Sequence, residues 1–512
     1  MCSIEIFQNT VERIKDNFQE ILNNKMDDQE SNNKVIIING TQIWTLKLFN
    51  VFFIIAIYLK KKGYIVKILL DDGMLEHIDM IKKDELFSIE EAKKRNIYTI
   101  NEFKKLETDI FVYYSDLINQ EDINIDKYDE SLIKTFEESV YVQYALVRYD
   151  NDINNKEYKK TLIQNMVIGH ELAKSIDKKY KPLSIISCLH MTRYSLASFS
   201  KYFENRDVNR LDIGIPKGGY KDEKALQIFS KDEKRDSMYK ILENLHMDNE
   251  KIEIVDKLMQ NRMSYNHHSN IDKIDQILQV QQELNKKIVV VFPNMFEDAM
   301  WSGYHTIFNS VVEWFIETIT FLKNNDFFII VKAHPSEKKW GSKVTSLEYI
   351  KDIVDENFLL IENDANIPAY SLYKYIDLAV VYNSTLFMET IYSDIPVIVG
   401  GNSYIINGIF KDTTVSKGEY FKLFKNIHIL KDKQLSKKEL LYKYIYFDFF
   451  CREIYFKCFN TNIVYPQIDN KIVLEMLEYE DNSLNFIEDL ISGVDLFEFN
   501  KYRKIFEFDS LV

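Results

Sequence analysis

The sequence predicts an α/β protein with two Rossmann-like domains facing a central cleft, followed by additional C-terminal helices. Three observations predict it. Short β-branched runs recur with helical segments between them, the alternation that builds parallel sheets. The alternation occurs twice, once near the N-terminus and again from Lys287, with a charged helical stretch between the two. A chain of 512 residues also exceeds what one hydrophobic core ordinarily organises.

Residues 1–33 read as a helical lead-in that ends in the polar run 27–33. The β-branched run 34–39 suits a strand buried on both faces. A turn at Gly40, Thr41 and Gln42 leads into the apolar run 48–59, which is broken by Asn50 and ended by Lys60, Lys61 and Lys62. A bilayer crossing needs roughly 20 apolar residues, so this run is a buried helix and any membrane association is peripheral. Gly63 closes the helix and residues 64–70 form the next strand, completing a βαβ unit. Residues 110–114 and 183–188 are further strands, and 131–150 and 157–178 are helices. The second half alternates strands at 288–292, 327–332, 358–361, 378–382 and 395–399 with helices at 308–322, 344–354 and from about 385. The last ninety residues, rich in Tyr and Phe, read as packing helices. The expected divisions are therefore a first domain over 1–265, a helical connector over 266–286, a second domain over 287–415 and a helical extension over 416–512.

Hydrophobic residues at 46% and charged residues at 28% give the balance of a folded protein. The net charge of −14 argues against general nucleic-acid binding, which needs a basic face. The first thirty residues are mixed and charged and carry no secretion signal. Cys2, Cys188, Cys451 and Cys458 are scattered, without the close pairing of a zinc site. A reduced, cytoplasmic protein without a metal centre is expected.

In open parallel sheets ligands lie beyond the carboxyl ends of the strands, so polar residues there carry most weight. In the second half these are Asn294, Lys332, His334, Asn383, Ser384, Thr385, Gly400, Gly401 and Asn402. A hydroxyl-bearing turn at a helix start offers backbone N–H groups to a phosphate. Glu389 follows Thr385 by four residues on the same helical face, where it suits a ribose diol. The plainer alternative is a Ser/Thr N-cap with a solvated glutamate. His334, at a strand end and fixed by Pro335, is a candidate donor to a leaving phosphate, or a histidine bonded to a local carbonyl. Gly400 and Gly401 permit close backbone approach to a ligand, or simply make a turn.

In the first half, Gly40, the pair Asp71 and Asp72, and His190 follow strands. Two carboxylates without a third ligand make a turn more readily than a metal site. His190 is the first-domain candidate for acid/base work or acceptor contact. His267 and His268 fall in the connector and read as loop residues. No Walker loop, GxGxxG, HExxH or GxSxG motif occurs, which excludes the corresponding nucleotide kinases, dinucleotide oxidoreductases, zincins and serine hydrolases.

Taken in order, Phe292-Pro293-Asn294, the segment 311–318, Val331-Lys332-Ala333-His334-Pro335-Ser336-Glu337, Tyr382-Asn383-Ser384-Thr385, Glu389, 395–400 and the pair Tyr404 and Gly408 resemble the bacterial capsule polysaccharide biosynthesis/export family. The match extends more loosely to 188–194 and 214–219. This family lies near the capsule Kdo transferases, and the resemblance implies the GT-B fold. His334 with Pro335, and Asn383, Ser384, Thr385 and Glu389, map onto the family elements that would bind the donor. Phe292-Pro293-Asn294 stands where the Kdo transferases carry a Gln-Pro type of element, which leaves the sugar open.

The expectation is a metal-independent, cofactor-free glycosyltransferase that moves a sugar from a nucleotide-activated donor to a bacterial surface glycan. The donor would lie against Asn294, Lys332, His334, Asn383, Ser384, Thr385, Glu389, Gly400 and Gly401. The acceptor, a glycan or lipid-linked glycan, would meet Gly40, Asp72 and His190, with His190 and His334 as catalytic candidates. The work would take place in the cytoplasm, with peripheral contact to the inner face of the membrane. The alternatives are a nucleotide-sugar epimerase or hydrolase of the same fold, a non-catalytic export or scaffold protein, and a glycerol-phosphate transferase.

Overall fold

A computed structural model describes residues 4–24, 31–40, 46–75, 89–106, 108–119, 121, 123–137, 142, 156–188, 197–204, 206–214, 225–230, 242–264, 272–296, 307–338, 344–401, 416–451, 453–455, 470–478 and 482–492. In chain order the first elements are α1 (Ile4–Asn24), β1 (Val35–Asn39), α2 (Leu46–Lys61), β2 (Ile65–Leu70), α3 (Ile89–Phe103) and β3 (Phe111–Tyr113). Next come α4 (Glu130–Glu137), α5 (Lys156–Tyr180), β4 (Ser184–Cys188), α6 (Ala197–Glu204), β5 (Asn209–Gly214) and β6 (Ala225–Ser230). The middle of the chain holds α7 (Asn249–Met263), α8 (Asp272–Glu283), β7 (Lys287–Phe292), α9 (Val311–Lys323), β8 (Phe327–Lys332) and β9 (Phe358–Ile361). It continues with β10 (Leu378–Val381), α10 (Leu386–Tyr392), β11 (Val397–Val399), α11 (Lys417–Lys425), α12 (Ile427–Leu435) and α13 (Lys438–Tyr446). The last elements are β12 (Glu453–Tyr455), α14 (Asn470–Glu478) and α15 (Asn482–Ile491).

Contacts divide the chain into two units, Met1–Asp232 with Cys451–Val512, and Glu233–Phe450. Each unit carries a largely parallel sheet with helices, the two-domain α/β class that the sequence predicts. The lines of division differ from those expected at 265, 286 and 415. Helices α7 and α8 belong to the second unit, where Tyr392 Oη and Tyr442 Oη both donate to Asp256 of α7. The chain then returns to the first unit, whose edge receives β12.

In the first unit the strand order is β12-β6-β5-β4-β1-β2-β3. Strands β1 to β5 pair in parallel, whereas β5–β6 and β6–β12 are antiparallel. The second unit orders β11-β10-β7-β8-β9, all parallel. Chain direction across the sheet reverses between β1 and β4 in the first unit, and between β7 and β10 in the second. Crevices at such reversals are where open α/β sheets hold ligands.

Strands at the sheet centres are almost wholly apolar because helices cover both faces: all five residues of β1, of which only the last, Asn39, is polar, and all four of β10 are buried. Several strands are entered through a residue in the left-handed region, a conformation that usually selects glycine. Here Lys181, Asn285, Asp326 and Asp394 occupy it before β4, β7, β8 and β11. Asn and Asp tolerate this region better than other non-glycine residues, which suits a chain with only 14 glycines.

Two expected features differ. The helix expected over 344–354 is a run of turns around a single 3-10 turn, Glu348–Ile350. The Thr345 hydroxyl donates to Glu348 Oε2 at 3.0 Å, and Asp355 Oδ1 accepts from the Asn357 N–H at 3.0 Å. Such local bonds offer the backbone an alternative to the helical ladder. Strands β5, β6 and β12 were not expected. Their sequences mix polar and apolar residues, and they lie where pairing passes from parallel at β4–β5 to antiparallel at β5–β6 and β6–β12, so no continuous apolar run is required.

Candidate functional site

Strand pairing brings the second-unit candidates to one edge. Val381 lies beside Phe292, so Asn383 and Asn294 leave adjacent strands at the β7–β10 reversal. On one flank Val291 pairs with Val331, which places Lys332 and His334 next to them. On the other, Gly400 and Gly401 N–H groups donate to Val381 O at 2.9 Å and Tyr382 O at 3.0 Å. The half-buried Asn294 presents a buried Oδ1 that accepts no hydrogen bond among the described residues. Such a group is costly to leave unmet in the folded state.

Val331 packs in the core beneath α9, so by strand alternation Lys332 faces the opposite side of the sheet. It is half-buried, and burial alone pushes its ammonium below the ordinary lysine value of 10.5. Among the described residues no carboxylate pairs with it. A desolvated cation without a counter-charge is a poor structural element and a good receptor for an anion.

His334 is held in a fixed turn. Its N–H donates to Glu337 Oε1 at 3.4 Å, and the Glu337 N–H donates to His334 O at 3.1 Å. Glu337 is itself buried and its Oε2 accepts from the Ser346 N–H at 3.2 Å. The Ser336 N–H donates to His334 Nδ1 at 3.1 Å. A neutral ring that accepts at Nδ1 carries its proton on Nε2, which makes His334 a hydrogen-bond donor there. Glu337 is a supporting residue that the sequence motif contains but does not single out.

At the start of α10, Ser384 Oγ accepts from the Leu386 N–H at 3.2 Å, while Thr385 makes no capping hydrogen bond. Thr385 is exposed and Ser384 half-buried. Glu389 is not a solvated carboxylate, since it is only 7% exposed. Its Oε1 accepts from Arg262 Nη2 at 3.0 Å and its Oε2 from Tyr373 Oη at 3.2 Å. Burial and the Glu389 charge together hold the Tyr373 phenol well above its usual value. No sequence signal marks Arg262, which lies 127 positions from its partner.

Gly400 and Gly401 are both filled from within. A Cβ on Gly400 would lie 1.9 Å from Trp314 Nε1, and one on Gly401 would lie 2.3 Å from Asn383 Oδ1. Side-chain packing therefore accounts for both residues without a ligand.

In the first unit, Gly40 ends β1 at the β1–β4 reversal and its N–H donates to Leu69 O at 3.0 Å. A Cβ there would meet Ile68 Cγ2 at 2.8 Å. Asp72 is tied to its own unit: Oδ2 accepts from Ser115 Oγ at 2.6 Å and lies 3.5 Å from Lys104 Nζ. Asp71 Oδ1 accepts from the N–H groups of Gly73, Met74 and Leu75, which makes the pair a turn. His190, His267, His268, Asn402, Tyr404 and Gly408 lie outside the described residues. Among those described, no helix is long and apolar enough to cross a membrane.

The segment that forms this edge is also the one that can be matched. Residues 232–442 match the family described as capsule polysaccharide biosynthesis protein. The resemblance carried by the ordered motifs thus holds over the whole strand-edge cluster, from Asn294 to Gly401. No protein of curated function matches the chain. Among solved structures, the Thermosulfurimonas dismutans KpsC beta Kdo 2,7 transferase is 13% identical, with 69% of this chain and 98% of that chain covered and a TM-score of 0.34. UDP-GlcNAc 2-epimerase from Neisseria meningitidis, bound to UDP-GlcNAc, is 11% identical, with 87% and 100% covered and a TM-score of 0.24. Both scores lie below 0.5, so neither likeness carries a functional assignment.

Proposed function

We propose that the chain is a glycosyltransferase that moves a sugar from a nucleotide-activated donor to a capsule-type bacterial surface glycan. The observation that carries this is Lys332: a half-buried ammonium without a counter-charge among the described residues, next to His334, at the carboxyl edge of a sheet in the capsule-biosynthesis segment. A donor phosphate would supply the missing charge. Lys332 would bind it electrostatically and His334 would donate from Nε2 to a phosphate oxygen as negative charge develops on the leaving group. Ser384 and Thr385 would contribute hydroxyl and backbone donors, and Asn294 and Asn383 would orient the donor at the strand reversal. The acceptor, a glycan or lipid-linked glycan reached from the cytoplasm, would be met by the first unit near Gly40, Asp72 and His190.

The test is a thermal-shift screen of purified protein against CMP, UDP, GDP and CDP-glycerol. A ligand that binds only the folded state stabilises it by about 2.7 kcal/mol at a hundredfold excess over its dissociation constant. One nucleotide shifting the wild type, with the shift lost in Lys332→Met and His334→Ala, is the expected result. No shift with any nucleotide would sink the donor assignment and favour a scaffold protein. Donor turnover without acceptor would favour an epimerase or hydrolase.

A further inference from the structure

We propose that Arg262 is a positioning residue for the donor site. In this view its ion pair with Glu389 fixes α10, and with it the Asn383-Ser384-Thr385 turn, so that Glu389 acts through the fold and not on a ribose. The inference rests on the proposal that this turn holds the donor.

The geometry argues for it in three steps. First, both oxygens of Glu389 are engaged from inside the second unit, by Arg262 Nη2 and Tyr373 Oη, and little of the side chain is left for solvent. Arg262 is permanently charged, and Tyr373 stays protonated because its phenol is pushed up by burial and by the carboxylate it serves. The two donors occupy one acceptor site on each oxygen, and burial leaves a ribose diol little access to the others.

Second, the pair is not built for stability. Arg262 makes one bond to Glu389 instead of a two-pronged fork, and its buried Nε has no hydrogen-bond partner among the described residues. Buried ion pairs of this kind often contribute no more than apolar residues of equal volume, and their best-attested use is to select one geometry.

Third, the contact sits where geometry matters. Helix α10 spans only Leu386–Tyr392, and Glu389 lies one turn from Thr385. The far end of α10 is fastened to α7 separately, through the Tyr392 bond to Asp256 at 2.9 Å and the Ser393 Oγ contact to Met263 Sδ at 3.5 Å. Tyr442 adds a second bond to Asp256 at 2.6 Å. Loss of Arg262 therefore leaves α7 attached, while Glu389, one turn from the Thr385 end of α10, keeps Tyr373 alone and becomes a buried charge without its counter-charge.

The experiment compares Arg262→Met, Glu389→Met, the double variant and Arg262→Lys. It measures the dissociation constant of the nucleotide found in the screen and of its 2′,3′-dideoxy analogue. It also measures hydrogen exchange of the 384–388 amides. Each single Met variant is expected to weaken nucleotide binding tenfold or more and to speed exchange at the turn by a similar factor. The double variant, which removes both charges, is expected to recover to within threefold of wild type, with Arg262→Lys in between. The dideoxy penalty is expected to be the same in every variant. A double variant as weak as Glu389→Met, together with loss of the dideoxy penalty on removing Glu389, would show ribose contact and overturn the proposal. Lower melting temperatures with unchanged affinity and unchanged exchange would also overturn it, because the pair would then be merely structural. If wild-type protein binds no nucleotide the donor proposal falls, while hydrogen exchange still decides whether the pair fixes the turn.

Discussion

Replacing Gly400 by alanine adds one methyl group at a point already occupied by the Trp314 indole. The added Cβ would lie 1.9 Å from Nε1, 2.3 Å from Cδ1 and 2.6 Å from Cε2. Carbon contacts settle at about 3.5–4.0 Å, so the ring has to retreat by more than an ångström. Trp314 is fully buried, and its Nε1 donates to Tyr420 Oη at 2.8 Å, with Thr318 Oγ1 also 2.9 Å from that hydroxyl. Overpacking of this kind costs about 1–3 kcal/mol, and stranding a buried hydrogen-bond partner costs about 1–3 kcal/mol more. A combined loss of about 3 kcal/mol corresponds to roughly 6–12 °C in the melting temperature of a unit of this size. The assay is urea and thermal unfolding followed by tryptophan fluorescence, with Trp314→Phe and the double variant alongside. The smaller ring should accommodate the methyl group, so the double variant should lose at least about 1 kcal/mol less than the two single losses combined. A Gly400→Ala protein within about 0.5 kcal/mol of wild type that no longer binds nucleotide would refute the packing argument. Gly400 would then exist for ligand approach.

Three further outcomes follow from the same structure. Burial lowers the Lys332 value below 10.5, and an anion binds only the protonated form, so nucleotide affinity should fall as pH rises through that lowered value. Titrating binding by calorimetry should show this slope in wild type and none in Lys332→Met. Burial likewise lowers His170 below its ordinary value of 6.5, with Lys174 and Arg206 acting in the same direction and Glu171 against them. The unfolded chain therefore takes up the proton first, so this contribution to stability is present above about 6.5 and is lost as pH falls towards the folded-state value; urea midpoints of wild type and His170→Phe should diverge across that window. Gln434 closes the free edge of β11, with Nε2 donating to Val397 O at 2.7 Å and Oε1 accepting from Val397 N–H at 2.9 Å. Gln434→Leu should destabilise the second unit by about 2–4 kcal/mol, because two buried backbone groups lose their partners, and an unchanged urea midpoint would exclude this role.

The buried parallel strands were legible in the sequence because helices cover both of their faces, which demands near-continuous apolar runs such as those of β1, β7, β8 and β10. Strands β5, β6 and β12, at the side of the sheet where pairing turns antiparallel, were not legible, since nothing in their sequences requires burial on both faces. Turn chemistry behaved similarly: Asp71 and Asp72 form a turn, as two carboxylates without a third ligand suggest. The helix expected over 344–354 gave way to local bonds of Thr345 and Asp355, because side chain and backbone compete over a few residues in ways that periodicity does not record.

The sequence by itself determined which residues end the strands and hence that Asn294, Lys332, His334 and Asn383 belong to one edge, because a strand end is a local property. It also carried the ordered motifs of the capsule family over the segment later matched at 232–442. Only the tertiary structure decided that Asn294 and Asn383 flank the reversal between β7 and β10, because strand order is set by how distant segments pair. Only the tertiary structure showed that Lys332 lacks a counter-charge among the described residues while Glu389 is already matched by Arg262. Charge compensation depends on which groups packing brings within about 3 Å of one another, and chain spacing does not encode that distance.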